Sequence, residues 1–480
     1  MKQRRTQRTS KRPRNPQPGK AQAVPRELPQ ITEPVAIEKP IYGGAFLARV
    51  DGKAVFVPLT LPGEQVLIHV TDDKGGYATA EADAIVTPSP QRTTPACRHF
   101  GACGGCHYQH ATYPAQIAFK QAILRETLTR AGVIPPEEIS VLAAETEAQT
   151  WAYRNRVRLA FSADGNPGYR SRRSHAVVPI AECPIAAPLL VSSAAIFADM
   201  ARRFSPSLRP TELSLFTNAD ESAMLATIFT SSANPKQFDE FASAVSEEIP
   251  ALKGVDLVSE GRSGDRNQSS PPRTVARWGQ ESINYRAAAF DYRVDRGAFF
   301  QINRWLVDGL VRQVCAGYRG QLAWDLFAGV GLFARQLTAR FASVLAVESA
   351  PPAVASLEEN LRGTTGVAVR SSTLDFLRRN ATLPSKAAQA STVPDLITPD
   401  LIIPDLVVVD PPRTGLGPEI TTLLGALAAP ALVYVSCDPA TLARDLRALL
   451  TSGYSLHSVT LADLFPHTFH LETVVHLRRA

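Results

Sequence analysis

No run of apolar residues in the sequence reaches the roughly 18–20 needed to span a bilayer, so no helical membrane anchor is expected. The basic N-terminus is followed by no apolar core, so a secretory signal is not expected either, and the default location is the cytoplasm. Acids are missing from residues 1–20, which carry eight Lys/Arg. The rest of the chain holds 43 basic against 45 acidic side chains, so the net charge of +6 resides in that stretch. Residues 1–35 therefore read as a disordered basic tail, either an arm drawn to phosphate or a solubilising extension. Cysteine is scarce, at six in 480 residues. In a cytosolic chain, cysteines suit metal ligation or catalysis better than disulfides.

The length suggests about three domains. Residues 36–92 read as a small five-stranded barrel of the OB kind. KAVFVPLTLPGEQVLIHV alternates β-branched and polar residues around a Pro-Gly turn, and ATAEADAIV supplies a further strand. Residues 113–131 have helical periodicity, stopped by Gly132. In WAYRNRVRLAF, Arg154, Arg156 and Arg158 alternate with Asn155, Val157 and Leu159, so on a strand they share one face. With Arg170, Arg172 and Arg173 they predict a phosphate-binding surface, the alternative being a solvated strand face. Residues 93–295 form a central segment containing a polar loop near 259–274. From 296 to 480, short apolar runs (LAWDLF, SVLAVE, DLVVVD, ALVYVS) alternate with helical segments. That is the pattern of an α/β, doubly wound, mainly parallel sheet, whose ligands lie beyond the carboxyl ends of its strands. A stretch at 384–404 with repeated Pro-Asp-Leu reads as a surface loop.

The chemistry falls at those strand ends. Asp325 to Ala334 (DLFAGVGLFA) carries glycines that let a ligand approach the backbone. Gly329, Gly331 and Ala334 also fit a nicotinamide fingerprint. Asp325 tilts the reading toward the cationic S-adenosylmethionine, while Glu348, suited to ribose hydroxyls, does not discriminate. Asp410-Pro411-Pro412 is followed by Arg413, where an aromatic residue would suit amine methylation, so polarisation of a carbonyl is expected. Cys437 precedes Asp438 and Pro439, an N-cap and first helical residue, and the helix dipole there is expected to lower its pKa. A thiolate that adds to C6 of uracil makes C5 nucleophilic enough to take a methyl group. A base, with Glu472 as candidate, must then remove the C5 proton. An exposed strand glutamate is the plain alternative for Glu472.

The set FFQINR (Phe299–Arg304), DLFAGVGLF, DPPRTGL, VSCDPATLARDL and HLETV resembles the RNA uracil-C5 methyltransferase family, in particular its 23S rRNA enzymes. The resemblance implies Cys437 as nucleophile and Glu472 as base. It implies Gln301, Phe327, Glu348, Asp410 and, less securely, Asp375 as cofactor or base contacts, with an aromatic residue near Phe299 helping to hold the base. It implies a class I methyltransferase sheet preceded by a TRAM barrel and a central α+β domain carrying an iron–sulfur loop. Cys97, Cys103, Cys106 and Cys183 resemble the [4Fe-4S] ligands of the family's iron–sulfur branch. Zinc is the rival, because His99, His107 and His110 lie nearby, but paired C-x2-C spacing is missing. Cys315 reads as core. The expected partner is RNA, rRNA before tRNA, with no membrane and no obligate protein partner. A non-catalytic RNA-binding or assembly protein is the other class of reading, and a tight affinity for NAD would point to a nicotinamide enzyme instead.

Overall fold

A computed structural model describes residues 31–204, 208–231, 237–259, 272–380 and 403–479. Most of the basic tail and most of the loops near 259–274 and 384–404 lie outside the described residues. Within the region read as tail, Ile31 packs against the barrel core and the first strand opens at Val35.

Strands β1 (Val35–Pro40), β2 (Ala45–Val50), β3 (Lys53–Pro58), β4 (Gln65–Asp73) and β5 (Tyr77–Thr87) close into a barrel in the order β1-β2-β3-β5-β4. Alternation decides which side chains fill it. Phe46, Ala48, Val55, Val57, Val66 and Ile68 point inward and are buried, and closure leaves no unpaired sheet edge.

After the barrel, the helix Tyr113–Arg130 and the short strand β6 (Ser140–Leu142) leave the central segment and join the C-terminal domain. Ile123, Leu124 and Leu128 of that helix pack with Leu442, Leu446 and Leu461. The central sheet comprises β7 (Arg156–Phe161), β8 (Pro167–Arg170), β9 (Val177–Pro179), β10 (Pro210–Thr217), β11 (Met224–Thr230), β12 (Leu252–Ser259) and β13 (Arg273–Gly279), in the order β13-β12-β11-β10-β7-β8-β9. The helices Pro188–Arg203 and Phe238–Glu248 cover it through Phe197 and Phe241. A hairpin of β14 (Ser282–Ala287) and β15 (Phe290–Asp295) leads into the last domain.

That domain is built on β16 (Gly320–Leu326), β17 (Phe341–Glu348), β18 (Gly366–Arg370), β19 (Leu406–Val409), β20 (Ala431–Ser436), β21 (Tyr454–Ala462) and β22 (Glu472–Arg479). The order is β18-β17-β16-β19-β20-β22-β21-β6, parallel from β18 to β20, with β22 antiparallel to β20. The apolar runs seen in the sequence follow from coverage of both faces. Ala323, Val408, Val433 and Val435 feed one core, while Trp324, Val407, Val409, Leu432 and Tyr434 feed the other. Each fully buried valine or leucine among them contributes roughly 1.5–3 kcal/mol relative to exposure. Among the described residues, no helix is long and apolar enough to cross a membrane.

Candidate active site

Parallel strands bring the ends of β16, β17, β19 and β20 to one edge, and with them Phe327, Glu348, Asp410 and Cys437. The antiparallel β22 begins at that same edge. Ser436 pairs with Thr473, so Cys437 and Glu472 each lie one residue beyond that pair, near enough for Glu472 to act on the thiol electrostatically. Asp438 is the N-cap of the helix Pro439–Thr451, accepting from the amides of Ala440 and Thr441 at 3.0 Å each. The sharp strand-to-helix turn is thus fixed immediately beyond Cys437.

The chain between β16 and the helix Leu332–Leu337 turns through left-handed conformations at Phe327 (φ +67°), Gly329 (φ +56°) and Gly331 (φ +89°). Gly331 is further required by space, since a Cβ there would lie 2.7 Å from Leu357. Glu348 accepts from the amide of Gly329 at 2.9 Å and from those of Ser349 and Ala350 at 2.7 Å, which shapes both turns at once. Asp325 is fully buried, and its Oδ2 accepts from Ala334 N at 2.8 Å while Oδ1 has no partner. Gln301 donates to Asp410 at 3.3 Å and is itself oriented by its backbone, whose carbonyl accepts from Asn155. Asp375 is exposed beyond β18, bonded locally to Ser372 and close to Arg378. Phe299 is 62% exposed.

Burial sets the electrostatics. Asp325 and Asp410 are both pushed up to about 7 by desolvation. Glu472 is driven well above the usual carboxylate range by burial and then by Asp410, with Arg413 opposing. The expected lowering of Cys437 is not found. Burial pushes the thiol up to about 12, Glu472 and Asp410 add to this, and Arg413 opposes it. The N-cap position does not outweigh loss of water at a half-buried thiol flanked by two carboxyls.

A second group of side chains forms a separate cavity. Cys97, Cys103, Cys106 and Cys183 line one pocket together with Arg154 and His470. Burial raises the thiols of Cys97, Cys103 and Cys106, and Cys183 adds to this in each case. Among the described residues, no group of three or more His, Cys, Asp or Glu has an arrangement that would hold a metal ion. His107 and His110 turn away from the pocket, toward Phe469 and Thr60 respectively. Cys315 is buried core, as its helical setting implies.

The six arginines read as one phosphate surface have other partners. Arg154 enters the cysteine pocket, and Arg156 stacks on Phe216 and donates to the carbonyl of Ala298. Arg158 and Arg170 both pair with Glu212, and Arg172 and Arg173 both pair with Glu81. Alternation gave the shared face but could not reveal two glutamates distant in sequence. Three residues near the site went unread. Tyr42 of the barrel donates to Asp438, His470 meets Arg413, and Lys120 meets Asp463 at zero exposure. The only local signal was the histidine two positions before Glu472, which chain position alone does not assign.

Residues 277–480 match the family described as tRNA (Uracil-5-)-methyltransferase, and residues 31–82 match the TRAM domain. The chain is 32% identical over 466 residues to the 23S rRNA (uracil(1939)-C(5))-methyltransferase RlmD of Pectobacterium atrosepticum, covering 94% of each chain. It is 31% identical over 455 residues to the protein of that name from an Azoarcus species, covering 92% of this chain and 99% of that one. In fold it is similar to the Pyrococcus abyssi tRNA (uracil-54, C5)-methyltransferase solved with S-adenosyl-L-homocysteine. The TM-score is 0.69 at 23% identity, over 92% of this chain and all of that one.

Proposed function

The chain belongs to the tRNA (uracil-5-)-methyltransferase family, and from that premise we propose that it methylates C5 of a uridine in 23S rRNA through a covalent adduct on Cys437. The observation that carries this reading is the proximity of Cys437 and Glu472, one residue beyond the Ser436–Thr473 pair of β20 and β22 and close enough for Glu472 to raise the thiol, at the edge where Asp410 and Gln301 also converge. The choice of rRNA is supported by relatives of that name aligned over nearly the whole chain. A cytoplasmic location goes with that substrate.

Cys437 loses its thiol proton to solvent and its Sγ adds as the thiolate to C6 of the flipped base, and the electron pair of the C5–C6 bond moves onto C5 and the neighbouring carbonyl. Arg413 stabilises the enolate oxygen so formed. S-adenosylmethionine, when bound, supplies an electrophilic methyl group for C5. Glu472 then takes the proton from C5, the double bond re-forms and the thiolate leaves C6. Gln301, Phe327, Glu348, Asp410 and Asp375 are the residues we assign to the cofactor and base. The unpartnered, fully buried Oδ1 of Asp325 fits a cationic ligand group.

The cysteine pocket is, on this reading, the seat of a [4Fe-4S] cluster held by Cys97, Cys103, Cys106 and Cys183. The guanidinium of Arg154, without a carboxylate partner among the described residues, supports a group of net negative charge there, while the four thiols that line the pocket are not gathered into a ligand set as they stand. The cluster's part is structural, because the methylation has no redox step.

The test is mass spectrometry of 5-methyluridine in unmodified rRNA and tRNA after incubation with anaerobically purified protein and S-adenosylmethionine. Product in large-subunit rRNA that vanishes in Cys437→Ala supports the proposal. Product confined to tRNA overturns the substrate assignment and leaves the chemistry standing. No product in either pool, with cofactor bound, favours an RNA-binding or assembly protein.

A further inference from the structure

The cysteine pocket and the methyl-transfer edge meet at His470, in the segment 463–471 that runs into Glu472. The backbone of that segment is held from several sides. The amides of His107 and Tyr108, which follow Cys106, both donate to the carbonyl of His467, at 2.8 and 3.0 Å. Gln116 accepts from the amide of His467 and bonds its ring, while Lys120 donates to the carbonyl of Phe465. His467 itself sits at φ +65°, a left-handed conformation that a non-glycine residue keeps only when its surroundings fix it. From this pinned segment His470 reaches two places: it lines the cysteine pocket, and its Nδ1 lies 3.1 Å from Nη2 of Arg413. A guanidinium has only donors, so Nδ1 accepts and the ring proton is on Nε2. Phe469 and Phe465 pack against the ring at 4.3 and 5.5 Å and restrict its orientation. Arg413 is otherwise exposed and forms no salt bridge among the described residues, so its only side-chain hydrogen bond there is the one to His470, while Glu472 acts on it only through its charge.

We propose that His470, which also lines the cysteine pocket, is a positioning residue that aims Arg413 at the Cys437–Glu472 pair. The inference rests on the reaction proposed above, and wild-type protein that makes no 5-methyluridine removes that foundation rather than testing the histidine. With wild type active, the test is a set of variants assayed for kcat and RNA KM separately, each checked for S-adenosylhomocysteine binding and for iron and sulfide content. His470→Asn keeps an acceptor where Nδ1 stood, and His470→Gln moves it to where Nε2 stood. His470→Asn is expected within about fivefold of wild type. His470→Gln and His470→Leu should lose about ten- to hundredfold in kcat, the range for a lost hydrogen bond to a charged group, with RNA KM little changed. The double variant His470→Leu/Arg413→Ala should be no slower than Arg413→Ala alone, because the histidine acts through the arginine. Equal losses in His470→Asn and His470→Gln overturn the proposal. So do losses that multiply in the double variant. If His470→Leu fails to fold, the Asn–Gln comparison still decides.

Discussion

The phenol of Tyr42, at the mouth of the barrel, donates to Oδ2 of Asp438 across 3.2 Å, joining residues 396 positions apart. Oδ1 of the same carboxylate caps the helix that follows Cys437. One side chain therefore couples the barrel to the turn bearing the proposed nucleophile. Burial and then Asp438 hold the Tyr42 hydroxyl above its ordinary range, so it stays a donor at neutral pH.

Tyr42→Phe removes one hydrogen bond and keeps the edge-on ring contact with Phe469. A loss of about 0.5–1.5 kcal/mol in urea denaturation is expected. Asp438→Ala removes the cap as well, about 0.5–2 kcal/mol by itself, and should be the more damaging. In the double variant the losses should fall short of the sum, since both delete one shared bond. Full additivity would mean that the contact contributes nothing.

Reactivity of Cys437 in the free protein should climb with pH. A thiol pushed up to about 12 is almost wholly protonated at pH 7, so carbamidomethylation of its peptide should accelerate about tenfold per unit from pH 7 to 10. Negative neighbours raise a thiol and positive ones lower it. Asp410→Asn should therefore speed the reaction at a given pH, and Arg413→Ala should slow it. A plateau near pH 8, read by peptide mass spectrometry, would mean that the thiol is not held high.

The barrel strands and β16, β17, β19 and β20 were legible because a half-buried barrel strand alternates and a doubly covered parallel strand does not, whereas most of the central seven-stranded sheet was not. The cap at Asp438 and the stop at Gly132 were equally legible, being local chemistry in the chain. The ends of β16, β17, β19 and β20 follow from those strands, and with them the grouping of Phe327, Glu348, Asp410 and Cys437 at one edge. What periodicity could not supply was pairing across the fold. It gave no sign that Glu212 and Glu81 take up four arginines, that Arg154 turns into the cysteine pocket, or that β6 joins the far edge of the last sheet. The Cys437 pKa was misjudged for a related reason. A helix N-terminus is visible in sequence, whereas the extent of desolvation is set by every element packed around it.

Asp325 is expected to be kept at the expense of stability. Its carboxyl is held at about 7 in the folded chain against an unfolded value of 3.8. Between those values the unfolded chain releases a proton that the folded chain retains, so stability falls as pH rises from about 4 to 7 and is level beyond. The full shift corresponds to about 4 kcal/mol. Asp325→Asn preserves the acceptor for Ala334 and should raise the melting temperature at pH 8, with little gain at pH 4. The same variant should bind S-adenosylhomocysteine far more weakly in calorimetry. A variant that is no more stable at pH 8 would show that the carboxyl is not destabilised by burial.

Lys120 and Asp463 form an ion pair at zero exposure, 2.5 Å apart, with Tyr113 also donating to Asp463 at 2.9 Å. Desolvation lowers the Lys120 pKa even with the carboxylate beside it. Breaking such a pair leaves one buried charge uncompensated, which costs about 3–5 kcal/mol, whereas replacing both partners by apolar groups is often near neutral. Lys120→Met should therefore destabilise strongly in urea denaturation, and Lys120→Met/Asp463→Leu should recover most of the loss. Because Asp463 opens the segment that leads to Glu472, the recovered double variant separates two roles. If the pair serves only stability, its methylation rate returns with its fold. If the hydrogen bonds of Lys120 to Asp463 and to the carbonyl of Phe465 also orient that segment, kcat stays about tenfold or more below wild type at normal S-adenosylhomocysteine affinity. The second outcome is the one expected, since an apolar pair can replace the packing of Lys120 and Asp463 but not the directional bond to Phe465.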